Sequence, residues 1–472
     1  MKGRTLAVLG LIVLIFSIIG QPAFRPPLVA GSGRTPGPTG FEPAPERTGF
    51  AQESSRLFLP LINHRARSVV PTPYGITMYG AVDEAAGLGK LAEAGSSWLV
   101  TVLDWSRTEP VKGQYNWGEL DAKVRNAQTA GFEVFVLLVN NPPWASANPN
   151  GPVNNVRDLV DFVAAAARRY NCEVPGKPCI RYWSFYPEPD HKDRFGNNPQ
   201  AMAEIMAAVG PAIRGVMPSA KVLIGGLAYD WFTDDGPPFP RPGSFVQSFL
   251  PNTLAALNNI GGGPGQARKF IDAVAFHYYP IAEFRWPTIR EKALEIKGIM
   301  AAAGLADLPV YVPEMGFWSS PRANSSEDYQ ARRLVEMFVL GQAAGVFKLA
   351  WFEVFDVRQG DPEEHGLFWG TDLSRPKKAY WAYKTLTAQL TGYAYSGALS
   401  TGQVEAHVFR SASGREKTVV WSQPKDTPGT FTLPGTCLRV VDTTGQVSLL
   451  TGSGQVTLTL PANEVLFVEA CS

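Results

Sequence analysis

Two glutamates, Glu188 and Glu314, each close a short apolar run crowded with proline and aromatic residues. The first sits in Arg181-Tyr-Trp-Ser-Phe-Tyr-Pro-Glu-Pro-Asp190, the second in Leu308-Pro-Val-Tyr-Val-Pro-Glu-Met-Gly-Phe-Trp318. A carboxylate at the mouth of a buried strand is held at a fixed height above a sheet, and two of them are the minimum equipment for hydrolysing a glycosidic bond. One must carry a proton for the leaving oxygen; the other, ionised, attacks or stabilises the anomeric carbon. A retaining mechanism sets the pair roughly 5–5.5 Å apart and an inverting one roughly 6.5–9.5 Å. The two stand 126 positions apart, 188 to 314. That leaves room for about three strand–helix units of ~40 residues each, so both could reach one rim of one barrel.

The elements that would position them follow a rhythm that begins at Tyr74. Apolar, β-rich runs fall at Gly75–Met78, Trp98–Leu103, Val134–Val139, Ile180–Phe185, Lys221–Gly225, Ala273–His277, Val310–Val312 and Phe347–Phe352. Amphipathic helical patterns lie between them, among them Val156–Tyr170, Pro199–Met217, Ile289–Ala303 and Ser326–Ala344. About eight such units predict a closed α/β barrel, the (β/α)8 TIM barrel, over residues 71–392. Past Gly392 short alternating runs at Val404–Phe409, Lys417–Trp421, Leu438–Val441, Val456–Leu460 and Val465–Val468 predict a small all-β sandwich over 393–472. No Gly-x-Gly-x-x-Gly or Walker-type loop follows any strand, which removes the usual nucleotide reading.

The chain of 472 residues is 45% hydrophobic and 18% charged, with net charge +1. Near-neutral balance without a long basic run argues against nucleic acid as a partner. Lys2 and Arg4 precede an apolar run from Leu6 to Ile19, so residues 1–30 read as a signal peptide or an N-terminal anchor that could tether the protein to a membrane. Residues 31–70, rich in Pro and Gly, read as a linker, interrupted by the apolar stretch Leu57–Ile62, a strand or plug for the main domain. An extracytoplasmic address follows, secreted or anchored. Four cysteines suit it; they allow three connectivities, of which 172–179 with 437–471 is the simplest. Five scattered histidines with no His-x-His pair and no Cys-x-x-Cys give no metal site. Asp104, Ser106 and Cys172 lie in no nucleophile motif. No cofactor and no protein partner is implied.

In a barrel the C-terminal strand ends form the active rim. Those ends carry Asn140-Asn-Pro-Pro-Trp144 after the third strand, Glu188 after the fourth, His277-Tyr-Tyr-Pro280 after the sixth, Glu314 after the seventh and Trp351-Phe-Glu-Val-Phe-Asp356 after the eighth. Aromatic rings stack on the apolar faces of sugar rings while amides and carboxylates take the hydroxyls, so a carbohydrate is the substrate these residues suit. Asn140, Asn141, Trp144, His277, Tyr279, Trp318, Trp351 and Glu353 are the binding candidates.

With these residues in place, the chain resembles a clan A retaining glycoside hydrolase, nearest in texture to families 5 and 39. Asp104-Trp-Ser-Arg-Thr-Glu-Pro-Val-Lys-Gly-Gln-Tyr-Asn-Trp117 and Pro376-Lys-Lys-Ala-Tyr-Trp-Ala-Tyr383 carry the likeness further, over residues 74–395. The resemblance implies Glu188 as acid/base, Glu314 as nucleophile, Trp351 as the floor of the sugar site, and His277 and Tyr279 as residues that contact or tune them. One departure matters. The clan writes Asn-Glu-Pro, its amide commonly binding the sugar 2-hydroxyl; this chain writes Pro187-Glu188-Pro189. Proline offers neither an amide nor a backbone N–H, and contacts to the 2-hydroxyl are worth several kcal/mol in the transition state. Either Asn140 or Asn141 reaches in instead, or the barrel binds a glycan without cleaving it.

The bland readings stand beside these. Glu188 and Glu314 could be strand-end acids bonded to neighbouring strands. Glu353 is as well suited to a buried ion pair as to substrate, and Asp356 is a rival carboxylate. Glu109 and Asp121 read as pins of the second helix, and Trp144, Trp318 and Trp369 as core. Loop shape decides which sugar is taken, and Thr233–Gly265 is the longest insert.

Overall fold

The structure is a computed structural model and describes residues 72–236, 242–280, 285–321, 324–356 and 364–471. The expectations for residues 1–30, for 31–70 and for Leu57–Ile62 lie outside the described residues.

Eight parallel strands close into a barrel in sequence order: β1 (Tyr74–Thr77), β2 (Trp98–Asp104), β3 (Glu133–Val139), β4 (Tyr182–Phe185), β5 (Lys221–Leu227), β6 (Ala273–Tyr278), β7 (Val310–Met315) and β8 (Lys348–Trp351), with β1 pairing back to β8. Parallel strands need crossover connections, and helices at Leu88–Glu93, Gly118–Thr129, Val156–Arg169, Pro199–Val216, Phe249–Gly261, Ile289–Ala302 and Glu327–Ala343 lie in them, while Lys378–Leu390 follows β8. Their starts are written locally. Asn155, Asn198 and Ser326 accept from backbone N–H groups of the first turn, and Thr288 forms a capping box with Glu291. The predicted insert Thr233–Gly265 takes in one of the ring helices, Phe249–Gly261.

Side chains fill the N-terminal half of the barrel. Trp98, Phe135, Tyr182, Leu223, Ala273, Ala275, Tyr311 and Ala350 pack there as one cluster. The buried Lys348 ammonium lies 2.6 Å from Glu133 and 5.4 Å from the ring centres of Trp98 and Tyr182. This end is a plug, which leaves chemistry to the opposite rim.

The C-terminal part is a six-stranded antiparallel sheet in the order β14 (Val447–Thr451), β13 (Cys437–Val441), β16 (Leu466–Ala470), β11 (Glu416–Ser422), β10 (Val404–Ser411), β9 (Tyr393–Ala398). The pair β12 (Gly429–Pro434) and β15 (Gln455–Leu460) forms the second layer. Phe431, Val456, Leu458 and Leu460 of that layer share one core with Val404, Val420, Leu438, Val440 and Val468, the sandwich arrangement. Disulfides join Cys172 to Cys179 and Cys437 to Cys471. Barrel and sheet are joined by a buried arginine. Arg332, 1% exposed on the helix Glu327–Ala343, donates through Nε to Glu336 (2.6 Å), through Nη2 to the Ser422 carbonyl (2.6 Å) and through Nη1 to the Lys425 carbonyl (3.3 Å).

Candidate active site

Glu188 stands on a contorted strand end. Tyr186 continues the ladder from β4, its N–H donating to the Leu138 carbonyl at 2.9 Å, but its φ is 62° and that of Glu188 is 42°. Each such left-handed residue without glycine costs roughly 1–3 kcal/mol and persists only where surroundings over-determine it. They do so here. The Glu188 N–H donates to the Gly226 carbonyl (3.0 Å), and the Tyr186 phenol donates to Asn141 Oδ1 (2.8 Å). Asp190 accepts from the N–H groups of Ala228 (3.1 Å) and Tyr229 (2.7 Å), and the Arg194 guanidinium donates to the Pro187 carbonyl. Burial pushes the Asp190 carboxyl up to about 6 against those two N–H bonds.

Glu314 is positioned by register. His277 of β6 and Glu314 of β7 are paired neighbours beyond a bulge in the ladder. Residues two apart share a face of a strand, so His277 and Tyr279 reach the same mouth, as do Thr77 and Tyr79 at the end of β1. Both oxygens of Glu314 are capped by phenols: Tyr279 donates to Oε1 at 2.6 Å and Tyr79 to Oε2 at 2.5 Å. Burial, then the Glu314 charge, holds both phenols well above the usual tyrosine range.

One imidazole joins the two acids. His277 Nδ1 lies 3.3 Å from Glu188 Oε1 and 3.7 Å from Glu314 Oε1. The two oxygens are therefore at most about 7.0 Å apart, the sum of those distances. Glu188, Glu314 and His277 are only 4%, 1% and 3% exposed, so their charges are settled by one another rather than by water. Burial works against a charged His277, but the Glu314 and Glu188 carboxylates outweigh it and hold the imidazole above its usual value. Burial raises Glu188, yet the His277 hydrogen bond and charge, with Arg194 and His191, bring it below the ordinary carboxylate range. Both directions favour an ion pair of His277 with Glu188. Gly226, at φ +79°, backs the ring: a Cβ there would lie 2.9 Å from His277 Nε2.

Glu353 follows β8, next to a cis Phe352–Glu353 peptide. Its Oε1 is buried without a hydrogen-bond partner among the described residues. Burial, with Glu314 and Asp356 nearby, pushes its carboxyl far up, toward the neutral form. Asp356 is committed elsewhere, 2.6 Å from the buried Lys377 ammonium and accepting from the Gly366 and Gly370 N–H groups.

The other predicted residues divide. Asn141 spends its amide on the Asn148 and Gly151 carbonyls (2.9 Å each) and its oxygen on Tyr186, and Asn140 donates to Asp104 (2.8 Å). Trp144 donates to the Glu109 carbonyl and lies edge-on to Trp105, 5.6 Å away, in the wall around the third strand's loop. Trp318 is partly exposed, stacked on Phe317 at 4.5 Å and edge-on to His365. Trp351 is fully buried, its indole N–H donating to the His365 carbonyl (3.0 Å). The aromatic beside the two phenols is instead Phe352, 5.8 Å from Tyr79 and 6.2 Å from Tyr279 between ring centres. Glu109 and Asp121 pin local structure. Glu109 accepts from Trp105 and Gly113, while Asp121 accepts from Arg169 and the Tyr170 phenol. Four contributors were not picked out in the sequence: Tyr79, Arg194, Phe352 and His365. The one signal that could have found Tyr79 is its place two residues past the inward Thr77. Among the described residues no group of three or more His, Cys, Asp or Glu is arranged to hold a metal ion.

No family model matches the chain, and no curated protein does. Solved structures do. A family 39 glycoside hydrolase from the gut symbiont Bacteroides cellulosilyticus superposes with a TM-score of 0.67 at 17% identity, over 85% of this chain and 81% of that one. A monomeric beta-xylosidase from Caulobacter crescentus gives 0.58 at 17%, over 85% and 97%. A family 30 endoxylanase from Clostridium papyrosolvens gives 0.58 at 13%, over 84% and 96%. At these identities the likeness establishes a shared fold, the barrel together with its C-terminal sheet.

Proposed function

We propose that this chain is an exported glycoside hydrolase that cleaves O-glycosidic bonds by double displacement with retention, Glu188 serving as acid/base and Glu314 as nucleophile. The observation that carries the reading is the single imidazole spanning both carboxylates. It holds Glu188 Oε1 and Glu314 Oε1 to at most about 7.0 Å, a bound that admits the roughly 5–5.5 Å of a retaining pair and leaves only the short end of the roughly 6.5–9.5 Å of an inverting one. In the first step a Glu314 oxygen bonds to the anomeric carbon as the glycosidic C–O bond breaks, and the leaving oxygen takes a proton from Glu188. In the second, Glu188 removes a proton from water, whose oxygen bonds to the anomeric carbon as the ester to Glu314 breaks.

His277 is the proton store for this cycle. A sugar closing the mouth lowers the polarity around the His277–Glu188 pair and disfavours its separated charges, which moves the proton across the 3.3 Å contact from His277. Glu353, Trp318 and Phe352 surround the sugar. The similar structures named as a xylosidase and an endoxylanase favour β-linked substrates. Export is supported by the two disulfides and by the basic-then-apolar start of the chain; among the described residues no helix is long and apolar enough to cross a membrane.

A second reading has one observation in its favour: Glu188 is held below the ordinary carboxylate range beside a proline that replaces the clan's amide. On that reading the barrel is a carbohydrate-binding protein. Hydrolysis of a panel of aryl β-glycosides and β-glycans by the wild type, Glu188→Gln and Glu314→Gln, alongside glycan binding, separates the two. Turnover that collapses in both variants supports the hydrolase; binding without turnover supports the alternative.

A further inference from the structure

The site lacks the amide that Pro187 replaces, and neither Asn140 nor Asn141 turns its amide to the acids. A different donor is already at the nucleophile. Tyr79 leaves β1 two residues after Thr77, whose hydroxyl donates to the carbonyl of Pro313 at 2.7 Å. That clamp fixes the end of β1 against the residue preceding Glu314. On the same face, the Tyr79 phenol donates to Glu314 Oε2 at 2.5 Å. Its ring lies 5.8 Å from that of Phe352 between centres, and the residue is less buried than the acids. Arg194, the nearby cation, is turned to the Pro187 carbonyl.

We propose that Tyr79 is a catalytic residue, supplying the donor that Pro187 withholds. It holds Glu314 Oε2 in the free enzyme and turns to the sugar 2-hydroxyl as Glu314 bonds to the anomeric carbon. This rests on the glycosidase reading above. The 2-hydroxyl sits on the carbon next to the one Glu314 attacks, so a donor bonded to a Glu314 oxygen stands on the side of the sugar that carries it. When Glu314 becomes an ester it loses its charge and with it most of its hold on the phenol; the oxygen of the sugar 2-hydroxyl is then the acceptor left. No bond to Tyr79 is made or broken.

The test compares Tyr79→Phe with wild type on an aryl β-glycoside that the wild type cleaves and on its 2-deoxy counterpart, with thermal unfolding to confirm folding. The variant removes one oxygen and keeps the ring. We expect kcat to fall about 10²–10³-fold on the parent glycoside, as for loss of one transition-state donor, with KM changed less than about threefold. On the 2-deoxy glycoside the fall is less than about tenfold. Equal losses on both substrates, or kcat kept within about threefold on the parent, overturn the inference. Tyr79→Leu, read by the same ratio, serves if the Phe variant does not fold. A wild type without turnover, or Glu314→Gln with turnover, overturns the glycosidase reading itself and this inference with it; a failure of Tyr79 alone leaves wild type active and Glu314→Gln inactive.

Discussion

Gly226→Ala tests whether the position of His277 matters to catalysis, without altering a titratable group. The new Cβ would lie 2.9 Å from Nε2, while an ordinary carbon–nitrogen contact needs about 3.4 Å or more, so the imidazole must move by about 0.5 Å. Since a 1 Å misplacement can cost about 10²-fold in rate, about tenfold is expected here. The φ of +79° adds backbone strain of roughly 1–2 kcal/mol for a residue with a Cβ, about 2 °C in Tm for a chain of this size. Gly392→Ala is the control: φ +84° with nothing within 4 Å of its Cβ, hence similar strain and no effect on the site. The assay is kcat on the best aryl glycoside from the panel, with Tm on the same preparations. Gly226→Ala with wild-type kcat, or Gly392→Ala with the same rate loss, would refute the reasoning.

Four further outcomes follow from the same geometry. The His277 imidazole is held above its usual value by Glu314 and Glu188, so Glu188→Gln should move its NMR titration to lower pH; an unmoved or rising midpoint contradicts the shared proton. The Glu353 carboxyl is raised by burial, so above the unfolded carboxylate pKa of about 4.3 the native state binds more protons than the unfolded one and stability falls as pH rises. Glu353→Gln should therefore gain stability over wild type at pH 7 and not at pH 3, measured by urea unfolding. Removing the Cys437–Cys471 link, which closes a separation of 34 residues, should cost about 2–4 kcal/mol in the same assay. Arg332→Met takes one of two arginine partners from Glu336, 2% exposed and still bonded to Arg333, and should cost about 1–3 kcal/mol.

Both glutamates were legible because each ends a β-rich apolar run, and a parallel barrel puts every such end on one rim. The pairing of His277 with Glu314 was not, because it depends on a bulge between Ala275 and His277 that shifts the register. Trp351 and Glu353 were placed on one face by alternation, but β8 ends at Trp351, so the strand period does not carry on to Glu353. Tyr79 sits in a turn after a four-residue strand, too short to advertise a face. Arg194 lies on a π-helix, Lys192–Gly196, and His365 on a connection far from either acid, so only tertiary packing brings them in. In the C-terminal part β9, β12 and β14 escaped notice. β14 is an edge strand exposed on both faces, and without one buried face there is no period of two to read.

The buried Arg332 makes the C-terminal sheet more than an appendage. A chain ended at Leu390 would strip the guanidinium of its two carbonyl acceptors at Ser422 and Lys425 and open the helix Glu327–Ala343 to water. Because those acceptors are main-chain atoms, the arginine's bonds depend on the path of the backbone, while the Lys425 ammonium adds a side-chain contact 4.7 Å from the Tyr329 ring. A recombined enzyme could take a sheet of quite different sequence, provided its chain turns in the same place. Cuts for domain exchange belong elsewhere than this seam, and lineages that vary the sheet's surface freely would still inherit barrel and sheet as one piece.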